Sequence, residues 1–307
     1  DATLGRPFNM AMVQDGEDWY GFVVGSQNNR LTRLEFDSLT DPSPDVVDMG
    51  TLSGAFSNPR TIDFIQEGGI WYALVADFSS GNLSRLTFTN GLQQAPDVDA
   101  SLGNLGFINS PFDLSIINDG TSIWMQVVEF GGTVVFAEFG SSISNDPTAN
   151  TNQITISGAS QTASIATINE CGTWYSIVSS AGNNNLCSLT YADTLNGAPS
   201  TSVIAVPGSF AAPRGLDFVQ DGIDTYLIVH ALSGTIYRYL FDSGLANAPS
   251  GGSLTTTLPT SDIWGIDYAT DNSEQVGFAL SFNGNTLYQV AWEDTAQASM
   301  RTSTAAE

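Results

Sequence analysis

The sequence predicts an all-β fold: a six-bladed β-propeller with four antiparallel strands per blade. Three markers sharing one period carry this prediction. A Trp-Tyr-like pair begins at Trp19, Trp71, Ile123, Trp174, Thr225 and Gln275, in steps of 52, 52, 51, 51 and 50. The residue opening each unit (Pro7, Pro59, Pro111, Thr162, Pro213, Ile263) keeps the same steps. An aromatic recurs at Phe36, Phe88, Phe139, Tyr191, Phe241 and Trp292. In the first five units a proline follows it eight residues later, at Pro44, Pro96, Pro147, Pro199 and Pro249. Units of about 50 residues have the length of kelch-like propeller blades. Solenoid coils are shorter, and a sandwich needs more strands than one unit holds. The chain 1–307 therefore reads as a single propeller. Its blades fall near 7–58, 59–110, 111–161, 162–212, 213–262 and 263–307, with 1–6 near the ring closure.

Within a unit the elements follow in a fixed order. An apolar run such as Thr61–Ile65 or Leu216–Val219 forms the first strand. Turns such as Asn118-Asp119-Gly120 and Gln220-Asp221-Gly222 follow, with the composition that supplies positive φ in hairpins. The second strand is aromatic and β-branched (WYGFVV, WYALVA, IWMQVV), and the third alternates (LTRLEF, LSRLTF, IYRYLF). A proline-containing linker and a weaker strand finish the unit, as at Val46–Leu52 or Val203–Val206.

The chain begins at Asp1 with no leader-like or membrane-spanning run, which reads as a mature or excised form. The last unit lacks an obvious fourth strand. Met300–Ala306, the N-terminal residues or another chain are the three sources. Unit four carries both cysteines, Cys171 in its first turn and Cys187 in its third strand, and a disulfide between them is expected.

Thirty-two acids oppose eight basic residues, all arginine, for a formal net charge of −24. Nucleic acids and anionic membranes both demand basic patches, so neither is an expected partner. Charged residues make up only 13%, so Ser, Thr, Asn, Gln and Gly finish the surface, as in extracellular β proteins. Arg33, Arg85 and Arg238 share a third-strand slot, and Arg60 and Arg214 share the slot after the opening proline. Their expected work is bridging to acidic neighbours. The functional alternative is a ring of guanidinium groups reading a carboxylated ligand.

Catalytic motifs are sparse. His230 is the one histidine and no GxSxG elbow accompanies it; Gly131-Gly132 and Gly251-Gly252 read as turns. The first strands carry Ala11, Asp63, Ser115, Ala166, Asp217 and Asp267 at one equivalent position. Two residues earlier come Asn9, Thr61, Asp113, Ser164, Gly215 and Gly265. Lining the channel, Asp63, Asp113, Asp217 and Asp267 form a candidate metal set, whose oxygen-only donors suit Ca²⁺. The plainer reading has them accept backbone hydrogen bonds at the crowded axis.

The phrases NNRLTRLEFDSL, GNLSRLTFTNGLQQAP and PRGLDFVQDG resemble six-bladed, NHL-like propellers. The likeness extends to blades of large exported surface proteins of Bacteroidota-type bacteria, associated with gliding motility and type 9 secretion. That resemblance implies an adhesive or scaffolding module. The chain departs from it in lacking attached Ig-like modules, a C-terminal sorting domain and any lysine. The fold is also similar to gluconolactonase-like propellers, although the axial Asp set is not their Glu/Asn/Asp pattern. The expected function is a non-enzymatic, extracellular or cell-surface propeller. Its expected partner is a protein or glycan, or neighbouring domains of a larger assembly, without membrane insertion. The alternatives are a calcium-dependent lactonase or hydrolase, and a structural subunit completed by a neighbouring chain.

Overall fold

A computed structural model describes residues 4–99, 101–149, 153–192, 194–208, 211–271, 274–292 and 300–306. Six antiparallel sheets, each contiguous in sequence, form a closed ring. In the first blade Pro7–Asp15, Asp18–Gly25, Arg30–Phe36 and Asp45–Gly50 pair in that order. The innermost strands of the other blades are Pro59–Glu67, Pro111–Asn118, Thr162–Glu170, Pro213–Asp221 and Ile263–Asp271. The third blade's outer strand is split into Thr148–Ala149 and Ile154–Thr155, both pairing with Thr133–Gly140. In the sixth blade Met300–Ala306 pairs with Thr286–Trp292. The chain thus completes its own last sheet. Among the described residues no helix is long and apolar enough to cross a membrane.

The Trp-Tyr pair repeats because neighbouring residues on a strand point to opposite faces of the sheet. Trp19 packs into the cluster shared with the sixth blade, beside Val276 and Phe278. Tyr20 packs into the cluster shared with the second blade, beside Ile62 and Phe88. Trp174 and Tyr175 divide in the same way between the third and fifth blades. Six such clusters fill the six interfaces between blades, so each sheet is buried on both faces.

Polar contacts repeat with the same period. Arg33 donates to the Leu92 carbonyl of the next blade at 2.8 Å, and Arg85 donates to the carbonyls of Ile143 and Asn145 at 2.8 Å. Gln289 fills the equivalent place in the last blade and donates to the Asp41 carbonyl at 2.6 Å. On the opposite side of the ring seam, the Arg6 N–H donates to Asn285 Oδ1 at 2.6 Å. The same link joins Asn58 to Asn29 and Ala212 to Asn184, each at 2.7 Å. Asn29, Asn184 and Asn285 all have φ near +50°, a conformation Asn tolerates. Where the turn carries Gly81 instead, a Cβ would lie 2.2 Å from the Ile108 carbonyl oxygen. The two solutions alternate by need: asparagine where its side chain reaches the next blade, glycine where the backbones themselves meet.

The expected disulfide is not formed. Both cysteines are free, Cys171 exposed and Cys187 buried. Cys171 sits in the turn beyond the Trp174↔Tyr191 pair, whereas Cys187 pairs with Val178, four residues further along the strand. At about 3.4 Å per residue that separation exceeds the Cα distance a disulfide spans.

Candidate binding face at the channel mouth

The four sequence-predicted carboxylates do converge. Asp63, Asp113, Asp217 and Asp267 line one axial cavity of about 150 Å³. Their oxygens, however, are turned to backbone donors. Asp63 accepts the N–H of Phe64 in its own strand and that of Ile116 in the next blade, both at 2.7 Å. Asp267 does the same with Tyr268 and, across the seam, Met12. Asp113 accepts the N–H groups of Leu114 and Ile165, and also Asn9 Nδ2 and the hydroxyls of Thr61 and Ser164. Each carboxylate therefore links the residue after it to the equivalent residue one blade on. Ser164 repeats the rule by accepting the Leu216 N–H at 3.3 Å.

Burial pushes the pKa of Asp63 up to about 7, and the charges of Asp267 and Asp113 add to the effect. Burial likewise raises Asp217 to about 7 and Asp267 well above the carboxylate range, and these two share a hydrogen bond. Two buried carboxylates in contact hold a proton between them. The oxygens a cation would take are here occupied by backbone N–H groups and hydroxyls, and calcium takes six to eight oxygens. Among the described residues no group of three or more acidic, histidine or cysteine side chains is arranged to hold a metal. His230 lies fully buried against the axis, where a Cβ on Gly215 would approach its Nε2 to 2.2 Å. Burial lowers its pKa to about 3, so it is neutral at physiological pH.

Above this cavity the channel is closed by side chains from one repeat slot, the residue after each opening position: Phe8, Arg60, Phe112, Ala163, Arg214 and Trp264. In all six blades the strand register shifts there, as between Pro59 and Thr61. A bulge redirects the side chain it carries, and here it sends the slot to the mouth. Phe8 lies 5.2 Å from Phe112 and 4.8 Å from Trp264, and Phe112 lies 6.0 Å from Trp264, so rings from three blades meet. The Arg60 guanidinium sits 4.0 Å from Phe8, 4.4 Å from Phe78 and 5.3 Å from Phe112. Arg214 lies 4.2 Å from Trp264, and Arg6 lies 5.4 Å from Phe282.

Beside the plug, at the seam of the sixth, first and second blades, a pocket of about 420 Å³ is lined by Arg6, Asn29, Ser57, Asn58, Arg60 and Phe282, among others. Among the described residues no carboxylate lines it. Burial lowers the Arg60 pKa to about 10, leaving it charged at neutral pH. The Arg60 Nε, and the Nε and Nη1 of Arg214, are buried without a hydrogen-bond partner among the described residues.

The two arginine sets, given one expected role, thus divide in space. Arg33 and Arg85 do the expected bridging, to Glu35 and Asp99 and to the next blade. Arg238 lies 3.6 Å from Tyr226. Arg60 and Arg214 have no acidic partner among the described residues and gather at the mouth with Arg6. Sequence reading missed Arg6, Phe282, Asn29 and Asn58 as site residues. Their one available signal was position, since they fall in or beside turns at one end of the blades.

Neither a protein-family model nor a curated protein matches the sequence. Solved structures match in fold. The six-bladed fucose-recognising lectin of the fungus Aleuria aurantia has a TM-score of 0.66 at 10% identity, covering 97% of this chain and 96% of the lectin. AofleA of Arthrobotrys oligospora gives 0.68 at 10% identity, covering 99% and 87%. An exo-β-1,3-galactanase of Phanerochaete chrysosporium gives 0.55 at 13% identity; 91% of this chain spans 65% of that enzyme. At such identities the likeness bears on the fold alone.

Proposed function

We propose that this propeller is a non-enzymatic glycan-binding module, acting outside the cell or at its surface, whose ligand seats on the face where the first strands begin. One observation carries the reading. In a chain of net charge −24, three of the eight arginines stand on one face without acidic partners among the described residues, beside aromatic rings and a pocket rimmed by amides and hydroxyls. Ring faces with a few fixed polar groups are what saccharide and other small-molecule sites consist of. Six-bladed architecture already serves fucose recognition in the Aleuria lectin, and that shared fold supports the reading without identifying the sugar. The axial carboxylates join blades, which is why the binding role is assigned to the mouth.

An array of neutral and acidic glycans tests this. Retention of the protein on a subset of sugars, weakened by Arg60→Gln and unaffected by Arg30→Gln, supports the proposal. Release of sugar from a bound oligosaccharide would replace it with an enzymatic function, and a blank array would end it.

A further inference from the structure

Resting on that reading, we infer that the pocket between Arg6 and Arg60 takes an acidic saccharide, with a sugar carboxylate received by the two guanidinium groups. Phe8, Phe78 and Phe112 surround the Arg60 cation, and ring faces compensate part of its desolvation. They supply no lone pairs for its N–H groups. No acceptor among the described residues takes the Arg60 guanidinium, whose Nε is buried. The two terminal nitrogens are not buried, and a carboxylate matches such a planar donor pair in two parallel bonds.

Arg6 approaches the same pocket from the other side of the first blade. Its backbone is fixed three times over. The N–H donates to Asn285, and the carbonyl accepts Ser26 Oγ at 3.0 Å and the Ser26 N–H at 3.1 Å. Its backbone is already ordered, so binding has only the exposed side chain left to immobilise. The opposite wall is also tied down, because Asn58 donates to Asn29 through its N–H and to Ser79 through Nδ2. Phe282 offers a ring against which a pyranose can lie.

The wider charge distribution sharpens the assignment. Every carboxylate on a surface of net charge −24 repels an anionic ligand at long range, and salt screens that repulsion within about 10 Å at 0.1 M. Attraction is local, at the arginines of the mouth. A uronate or sialic acid end is recognised there, whereas a long polyanion is repelled beyond the mouth. Affinity is therefore lowest at very low ionic strength and rises as salt screens the surrounding acids, before high salt weakens the arginine contact.

Titration calorimetry tests this with short oligosaccharides of galacturonate, glucuronate and sialic acid, each as the free acid and as its methyl ester. The free acid of at least one is expected to bind at least tenfold more tightly than its ester. Arg60→Gln removes that preference and Arg60→Lys restores part of it, while all variants keep the wild-type melting profile. Equal affinity for acid and ester, or binding of neutral sugars alone, would overturn the carboxylate assignment and leave the glycan reading standing. Failure of every acidic and neutral sugar to bind would overturn both.

Discussion

Gln289 in the last blade donates to the backbone carbonyl of Asp41 in the first, at 2.6 Å, in the place where Arg85 grips the second and third blades together. With Asp267 accepting the Met12 N–H and Asn285 accepting that of Arg6, the seam is closed by the same contacts that join the other blades. Among the described residues no strand is shared between the first and last sheets. Gln289→Ala is expected to cost about 1 kcal/mol for the hydrogen bond to Asp41. Asp113→Ala, which takes an acceptor from five donors, costs at least about 2 kcal/mol. Urea unfolding ranks the two, and equal midpoints for the pair would contradict the staple account.

The channel makes stability depend on pH in an unusual direction. Asp63 and Asp217 have native pKa values near 7, above the unfolded value of about 3.9, so the native state binds more protons between those limits. Stability from these groups is present in full below about pH 4, falls as pH rises, and levels off above 7. Asp119 acts oppositely: burial raises its pKa, but hydrogen bonds from Ser122, Thr121 and Trp124 outweigh that and hold it low, so its contribution is lost in strong acid. Melting temperature should be several degrees higher at pH 5 than at pH 8, and Asp63→Asn with Asp217→Asn should flatten that difference. An undiminished slope in the double variant would place the effect in the general acidic surface instead.

Free thiols give a direct count. Cys171 is exposed in a turn, while burial pushes the Cys187 thiol up to about 11. One equivalent of thiol reagent should react with the native protein and a second only after unfolding, and reducing agent should leave the melting temperature unchanged. A loss of stability on reduction would restore the disulfide.

Arginines given one expected role should separate under mutation. Arg85→Met leaves Asp99 with only the Thr87 hydroxyl and two carbonyls of the next blade without the Arg85 donor, and should destabilise by about 2 kcal/mol. Arg60→Met removes a half-buried charge with no hydrogen bond and fills the same space between phenyl rings, so the melting temperature holds or rises. Matching losses from the two variants would give Arg60 a structural role.

This contrast also marks how far the sequence could be read. The Trp-Tyr period and the opening prolines gave the blade count, because a residue that wedges both faces of a sheet must recur in every blade. The axial carboxylates were found for the same reason, since their position repeats. Arg60 and Arg33 fall in different repeat slots, but both slots carry the same expected bridging role. What separates them is a strand bulge that aims Arg60 over the channel; it recurs after every opening residue, but no residue type marks it. Ring closure was open for a related reason: Met300–Ala306 has little apolar alternation, and only pairing with Thr286–Trp292 makes it a strand. The cysteines misled because sharing a blade says nothing about offset along its strands.

The most direct measurement is a crystal structure of the protein with a uronic-acid disaccharide. The account predicts the sugar in the pocket beside Phe282, its carboxylate within about 3 Å of the guanidinium groups of Arg6 and Arg60. A disaccharide held instead at the axial carboxylates or on a blade's outer edge, with that pocket empty, would contradict it.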